Sequence, residues 1–490
     1  MNHTYTPQQI ALFDRVSSPD CPSLAVVARA GSGKTFSLQQ CARRIKGSGI
    51  ATSFSTSTVK ELGEKMPSSF PAATMHSIGF RALRGANPST KLDSSKTYSL
   101  TRDFFNLNED LDKRDFSSVM KLVSLAKTFG IAPDRSTALL PDEPSSWEDL
   151  ADQFDLTYSP AIQWAARDIL LQSNKLALQP KTPIIDFDDM LYIALLWPHH
   201  FPYYGNIISD ESQDLNSLQH LMLRRLLRPG GRIIAAGDDR QAIYAFRGAL
   251  SDSFPALERR FDMVPMPLTV SFRCPVVGVH EAQRYVPDIE AAPGALEGQI
   301  FTHNDLALTD VPPVVLCRNN APLVTLALRL LVSGRTAEVA GKDIGKGLIT
   351  LTKRITKRNL KSPVFLDRLH KWAEREIKRK PRSRPRVNDK VAALTALATE
   401  YQDLNAIRHH LGKLYPDPKS KNYRPAQVQL STIHRAKGKE WPEILFLDPQ
   451  LLPSKWAEQE WERTQEDNLA YVGVTRFQET MHYADSKGIY

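Results

Sequence analysis

Two short stretches far apart in the chain carry residue types suited to phosphate chemistry. The first, Ala30-Gly31-Ser32-Gly33-Lys34-Thr35, follows a short apolar run and opens a stretch of helical character. Glycines there let the backbone approach an anion closely. The N–H groups and positive dipole end of the following helix would then hold it. Lys34 is placed to reach the outer phosphates of a nucleotide, and the Thr35 hydroxyl to ligate magnesium. The second stretch, Asn206-Ile207-Ile208-Ser209-Asp210-Glu211, reads as a strand ending in adjacent acids. Asp210 would hold the metal through water while Glu211 polarises an attacking water, two jobs that need two carboxylates. Nucleotide hydrolysis is the chemistry this pairing predicts. The loop pattern asks for glycine at its first position, where Ala28 stands.

These residues need a layered scaffold. Strand-like runs at Ser23 to Ala28, Ile50 to Phe54, Asn206 to Ser209 and Arg232 to Ala236 alternate with helical stretches, and Lys34 opens a helix running to about Lys46. A second set lies at Val314 to Cys317, Thr336 to Val339, Val428 to Ser431 and Ile444 to Leu447. The pattern predicts an α/β protein with two doubly wound, parallel-sheet cores. Each core is interrupted by an insertion. The first is mainly helical, as in Phe116 to Thr128 and Ile162 to Leu176. The expected segments are 1–84, 85–183 and 184–268 for the first core with its insertion, and 269–340, 341–425 and 426–490 for the second.

At 490 residues the chain is too long for one core. The start Met1-Asn2-His3-Thr4-Tyr5 carries no basic-then-apolar signal, and no apolar run approaches the ~20 residues that span a bilayer. A soluble intracellular protein without membrane association is expected. Cys21, Cys41, Cys274 and Cys317 are scattered, which argues against a zinc knuckle or iron–sulfur cluster and for buried, reduced thiols. The net charge is +9, and Lys342 to Arg386 alone holds 16 Lys plus Arg against 4 Asp plus Glu, a local +12. The remainder is therefore slightly acidic. Charge concentrated in this way points to a polyanion such as nucleic acid.

A third stretch, Gly237-Asp238-Asp239-Arg240-Gln241-Ala242-Ile243-Tyr244-Ala245-Phe246-Arg247-Gly248, completes a set that resembles UvrD/Rep-type helicases of superfamily 1. Thr6-Pro7-Gln8-Gln9 resembles the family's Q motif. Phe54-Ser55-Thr56 with Glu61-Leu62, and Thr74-Met75-His76-Ser77, resemble motifs Ia and Ib. Ser271-Phe272-Arg273 is similar to motif IV, Thr432 to Trp441 to motif V, and Ala470-Tyr471-Val472-Gly473-Val474-Thr475-Arg476 to motif VI. The resemblance spans both cores and preserves motif order.

What the resemblance implies is specific. It predicts two RecA-like P-loop NTPase cores binding ATP and Mg2+ in a cleft between them. Gln9 would read adenine, Phe272 would stack on the base, Glu440 would meet the ribose, and Gln241 would sense the γ-phosphate. Arg273 and Arg476 would reach that phosphate from the second core, where an arginine finger stabilises the developing charge. Phe54, Thr56, His76, Tyr244, Phe246, Arg247, Thr432 and His434 would lie on or near a single DNA strand, where aromatic stacking tolerates any base. Phe246 stands where the family usually has tryptophan. The implied activity is an ATP-dependent DNA helicase translocating 3′ to 5′, acting on single-stranded DNA and single/double-strand junctions. Replication or repair proteins are its candidate partners, in a bacterial or phage-infected cytoplasm. The insertion at 341–425 is shorter than the family's large fourth domain, and the end at Tyr490 suggests no fused nuclease. A translocase that strips proteins without unwinding, a nucleotide-switched binding protein and an RNA-directed motor are the rival readings.

Overall fold

A computed structural model describes residues 5–53, 55–133, 135–154, 156–243, 253–417, 420 and 423–490. The chain divides into two compact units, one of Met1–Arg29 and Gly33–Leu268, the other of Ala30–Ser32 and Thr269–Tyr490.

In the first unit a six-stranded sheet runs, edge to edge, Ala72–Thr74, Ile50–Ser53, Tyr204–Asp210, Leu227–Gly237, Leu24–Ala28 and Val264–Leu268. Every pairing is parallel. A sheet buried on both faces needs near-continuous apolar strands, and side chains alternate between the faces. Leu24, Val26, Ala28, Ile208, Ile234 and Ala236 accordingly pack with residues of helices Pro7–Ser17 and Lys34–Arg44. Ala25, Ile50, Ile207, Ile233 and Ala235 belong to a second cluster on the opposite face.

That second cluster extends into the inserted helices, including Lys96–Leu107, Phe116–Phe129 and Pro160–Ala177. The insertion thus shares its core with the sheet it interrupts. A tight group of charges lies inside it. Lys96 Nζ is 2.6 Å from Asp189 Oδ2, and Lys127 Nζ is 2.7 Å from Asp186 and 2.8 Å from Asp189. Buried charges persist only when paired and hydrogen-bonded in this way.

The second unit has its own six-stranded, all-parallel sheet, in the order Gln299–His303, Phe477–Ala484, Trp441–Leu447, Val314–Cys317, Val428–Thr432 and Ala337–Val339. Four helices, Lys342–Ile355, Ser362–Arg379, Arg384–Glu400 and Leu404–Leu414, follow its Ala337–Val339 edge. Leu348, Phe365, Leu394 and Leu411 from these helices join Val315, Leu430 and Leu445 of the sheet in one core. Asp389 also accepts from Ala321 N at 2.8 Å, capping the helix Asn320–Val332. Within the basic stretch, Lys378 and Arg379 end the helix Ser362–Arg379, and Pro381–Ser383 form a 3-10 turn before the next helix.

All four cysteines are free and buried. No helix among the described residues is long and apolar enough to cross a membrane.

Candidate nucleotide and nucleic-acid sites

The phosphate loop joins the strand Leu24–Ala28 to the helix Lys34–Arg44. Gly31 and Gly33 have φ of 75° and 72°, left-handed values that side-chain-bearing residues adopt at a cost. Gly33 occupies the N-cap with no side-chain cap, so the first N–H groups of the helix point into the loop. Ser32 Oγ is buried without a hydrogen-bond partner in the described residues.

One strand separates the two chemical ends. Leu227–Gly237 lies between Leu24–Ala28 and Tyr204–Asp210, and all three are parallel. Their carboxyl ends therefore open on one edge, where open α/β sheets bind ligands. Lys34 Nζ is 2.7 Å from Glu211 Oε1 and 3.6 Å from Asp210 Oδ1. Thr35 Oγ1 donates to Asp210 Oδ2 at 2.9 Å. Lys34, Thr35, Asp210 and Glu211 thus meet in one cluster.

Electrostatics hold the cluster together. Burial alone would lower the Lys34 pKa, but the Glu211 and Asp210 carboxylates outweigh it and raise the value above that of a free lysine. Burial raises the Asp210 carboxyl despite the ammonium beside it. Glu211 has φ 54° and ψ 39°, a left-handed conformation that is strained for a glutamate.

Two residues that the sequence reading did not single out complete the arrangement. Arg29 Nη1 lies 2.7 Å from Asp239 and 3.3 Å from Asp238. Gln213 donates to Glu211 Oε2 at 2.5 Å and accepts from Asp238 N at 3.2 Å. Asp238 in turn accepts from Gln241 Nε2 at 2.7 Å, and burial raises its carboxyl pKa. Gln213 was visible in sequence as an amide two positions after Glu211, but its partner across the sheet was not.

Gln9 is buried and its amide is engaged at both ends. Its carbonyl oxygen accepts from Thr6 N at 3.1 Å within a capping box, and its Nε2 donates to Ser37 Oγ at 3.2 Å.

In the second unit Phe272 is 53% exposed. Arg273 forms an ion pair with Glu440, which also accepts from Gln478 Nε2 at 3.2 Å. Arg476 is fully buried. Its guanidinium donates to Val472 O at 2.7 Å, Lys439 O at 3.2 Å and Thr475 Oγ1 at 2.7 Å. Burial, reinforced by Arg273, lowers its pKa to about 10.

Of the residues assigned to the DNA strand, Phe54, Tyr244, Phe246 and Arg247 lie outside the described residues. Thr56 is exposed at the first position of the helix Thr56–Lys65, just after the strand Ile50–Ser53. His76 is the second residue of the helix Met75–Ala86, which follows the neighbouring strand Ala72–Thr74. Its ring stacks on Phe187, with centroids 4.3 Å apart and planes at 21°. Phe187 is 57% exposed and was missed in sequence. It projects from the turn in which Asp186 and Asp189 bond each other's backbone N–H at 3.0 and 2.9 Å, and these acids are the partners of Lys127 and Lys96. In the second unit Thr432 is buried at the N-cap of the short helix Ile433–Ala436, which carries His434.

Two RecA-like α/β cores and a phosphate loop backed by paired acids define a P-loop NTPase. The family comparisons narrow this class. The UvrD/REP helicase N-terminal domain matches residues 14–262, and the UvrD-like helicase C-terminal domain matches residues 353–484. The chain belongs to the UvrD/REP helicase family.

DNA helicase II of Escherichia coli K12 is 26% identical over 260 residues, covering 46% of this chain and 33% of the relative. The ATP-dependent DNA helicase Rep of Salmonella typhimurium is 27% identical over 273 residues, covering 48% of this chain and 37% of the relative. The matched stretch therefore spans well under half the length of these relatives. Among solved structures, Arterivirus nonstructural protein 10 (helicase) is 12% identical with a TM-score of 0.36, covering 97% of this chain and 61% of that one.

Proposed function

We propose that this protein is a DNA-stimulated ATPase that translocates on single-stranded DNA, 3′ to 5′, and unwinds duplexes at single/double-strand junctions. The observation that carries the ATPase reading is the cluster of Lys34, Thr35, Asp210 and Glu211 at the carboxyl edge of the first sheet.

The residues present fit a magnesium nucleotide. Ser32 Oγ is an orphan donor in a loop shaped by left-handed glycines, and Thr35 with Asp210 forms an all-oxygen pair suited to a hard cation. Bound magnesium would neutralise charge on the phosphate oxygens. Lys34 would exchange its carboxylate partners for phosphate. Glu211 would then be released to orient and deprotonate water, while Asp210 and Thr35 hold their oxygens toward the cation. Gln241 would report the state of the outer phosphate through Asp238. In the second unit Phe272 offers an exposed ring for a base, and Arg273, Glu440 and Arg476 are proposed to complete nucleotide binding. Arg476 would have to give up its internal carbonyls to act as a finger.

Single-strand binding is assigned to Thr56, the His76–Phe187 stack, Thr432 and His434, together with Phe54, Tyr244, Phe246 and Arg247. The segments 1–84, 85–183, 184–268, 269–340, 341–425 and 426–490 are proposed as the functional division of the chain, acting in a bacterial or phage-infected cytoplasm with replication or repair proteins. The test is ATP turnover with and without DNA or RNA, beside displacement of strands carrying 3′ or 5′ tails. Displacement from 3′ tails only is expected. DNA-stimulated turnover without displacement of either tail would leave a translocase, and stimulation by RNA alone would refute the DNA assignment.

A further inference from the structure

Gln213 is 1% exposed and spans the ends of two neighbouring strands. Its amide uses both of its ends. Nε2 donates to the Glu211 carboxylate at 2.5 Å, and Oε1 accepts from the backbone N–H of Asp238 at 3.2 Å. Asp238 caps the turn Asp239–Gln241, accepting from Arg240 N at 3.2 Å, and receives the Gln241 amide at 2.7 Å. An unbroken path of hydrogen bonds therefore runs from Glu211 through Gln213 and Asp238 to Gln241.

An amide suits that position. It must donate to a carboxylate at one end and accept from an N–H at the other. A glutamate would set one carboxylate against another, and a methionine would fill the space while bonding neither partner. The room for the amide comes from Gly237. A Cβ there would lie 2.7 Å from Gln213 Oε1 and 2.9 Å from the Phe254 ring, both too close. Glu211 itself occupies a left-handed backbone position, so its carboxylate direction depends on what holds it.

We propose that Gln213 is a positioning residue that aims the Glu211 carboxylate and couples it to the turn bearing Gln241. This rests on the reading of Glu211 as the group that activates water. A shift of the Gln241 turn moves the Asp238 N–H, and Gln213 passes that movement to Glu211. Misaiming a catalytic group by about an ångström lowers rate on the order of 100-fold while leaving binding intact.

The test is steady-state ATP hydrolysis by Gln213→Met, Gln213→Glu, Gly237→Ala and Glu211→Gln, with the double variant Gln213→Met/Glu211→Gln. Gln213→Met and Gln213→Glu should lower kcat on the order of 10- to 100-fold with KM for ATP within about twofold of wild type. Gly237→Ala, which displaces the amide without removing it, should move kcat in the same direction. In the Glu211→Gln background Gln213→Met should have almost no further effect, because its influence passes through the missing carboxylate. A purely structural role would instead lower both backgrounds equally, which overturns the proposal. Wild-type kcat in Gln213→Met beside a severely impaired Glu211→Gln would overturn it while leaving the role of Glu211 standing. Wild-type turnover by Glu211→Gln would remove the reading of Glu211, and this proposal with it.

Discussion

Lys34 Nζ lies 2.7 Å from Glu211 Oε1, so the ammonium proposed to bind phosphate is held in this state by the acid proposed to activate water. One side chain thus keeps the other in reserve. An anion entering the loop would compete for Lys34 and release Glu211 at the same moment.

This predicts that the two residues separate binding from turnover. Glu211→Gln should lower kcat on the order of 100- to 10,000-fold while retaining nucleotide affinity, since Lys34 keeps Asp210 as a partner. Lys34→Ala should lose both turnover and affinity, yet retain much of its single-strand binding. Titration with a fluorescent nucleotide beside turnover would separate them. Equal loss of affinity in both variants would refute the division of labour.

His76 gives a pH prediction. Burial lowers its imidazole from 6.5 to about 4. Between those values the unfolded chain binds the proton that the folded chain refuses. The contribution to stability is complete above pH 6.5 and is lost as pH falls toward about 4. His76→Phe preserves a ring against Phe187 and removes the titration. Thermal melts from pH 7 to 4 should show a flatter loss of Tm in the variant. Parallel curves would show that the ring is not the titrating group.

The two arginines of the second unit should part company under mutation. Arg273 pairs with the half-exposed Glu440, and such a pair contributes about 0–1 kcal/mol to stability. Arg273→Ala should therefore lower turnover with little change in Tm. Arg476 is fully buried and supplies donors to the Lys439 and Val472 carbonyls, so Arg476→Ala should cost about 2 kcal/mol in addition to turnover. Arg476→Ala that melts lower but hydrolyses ATP normally would make this arginine structural alone.

What the sequence disclosed follows from where information is local. The phosphate loop, the Asp210–Glu211 pair and strands such as Val314–Cys317 announce themselves within a few residues, because burial on both faces demands unbroken apolar runs. Strands at sheet edges are quieter. Val264–Leu268, with two prolines, and Gln299–His303 are partly exposed edge strands and carry no such run. Phe477–Ala484 lies inside its sheet yet holds Gln478, Glu479, Thr480 and His482, so position rather than hydrophobicity makes it a strand. The Gln213–Asp238 bridge joins neighbouring strand ends, and the Phe187–His76 stack joins residues far apart in the chain. Both depend on packing that no local pattern encodes.

The basic insertion yields a prediction about salt. Several of its cations already have acidic partners, as in Lys342 with Asp417, Lys371 with Asp367 and Arg379 with Glu376. Asp367 and Glu376 are already counted in the balance of +12, so among these pairs only Lys342 with Asp417, which lies beyond Arg386, reduces the charge open to a polyanion further. Lys346, Lys353, Arg354, Lys357, Arg358 and Lys361 are exposed on and just beyond the helix Lys342–Ile355, whose apolar side, including Leu348 and Leu351, is buried. If these groups meet phosphates, each contact should add about 0.7 to the slope of log affinity against log salt on single-stranded DNA. Changing all six to glutamine should flatten that slope while leaving the rate of ATP hydrolysis without DNA unaltered. An unchanged slope, measured by anisotropy across a salt series, would show that the insertion keeps its charge for another purpose.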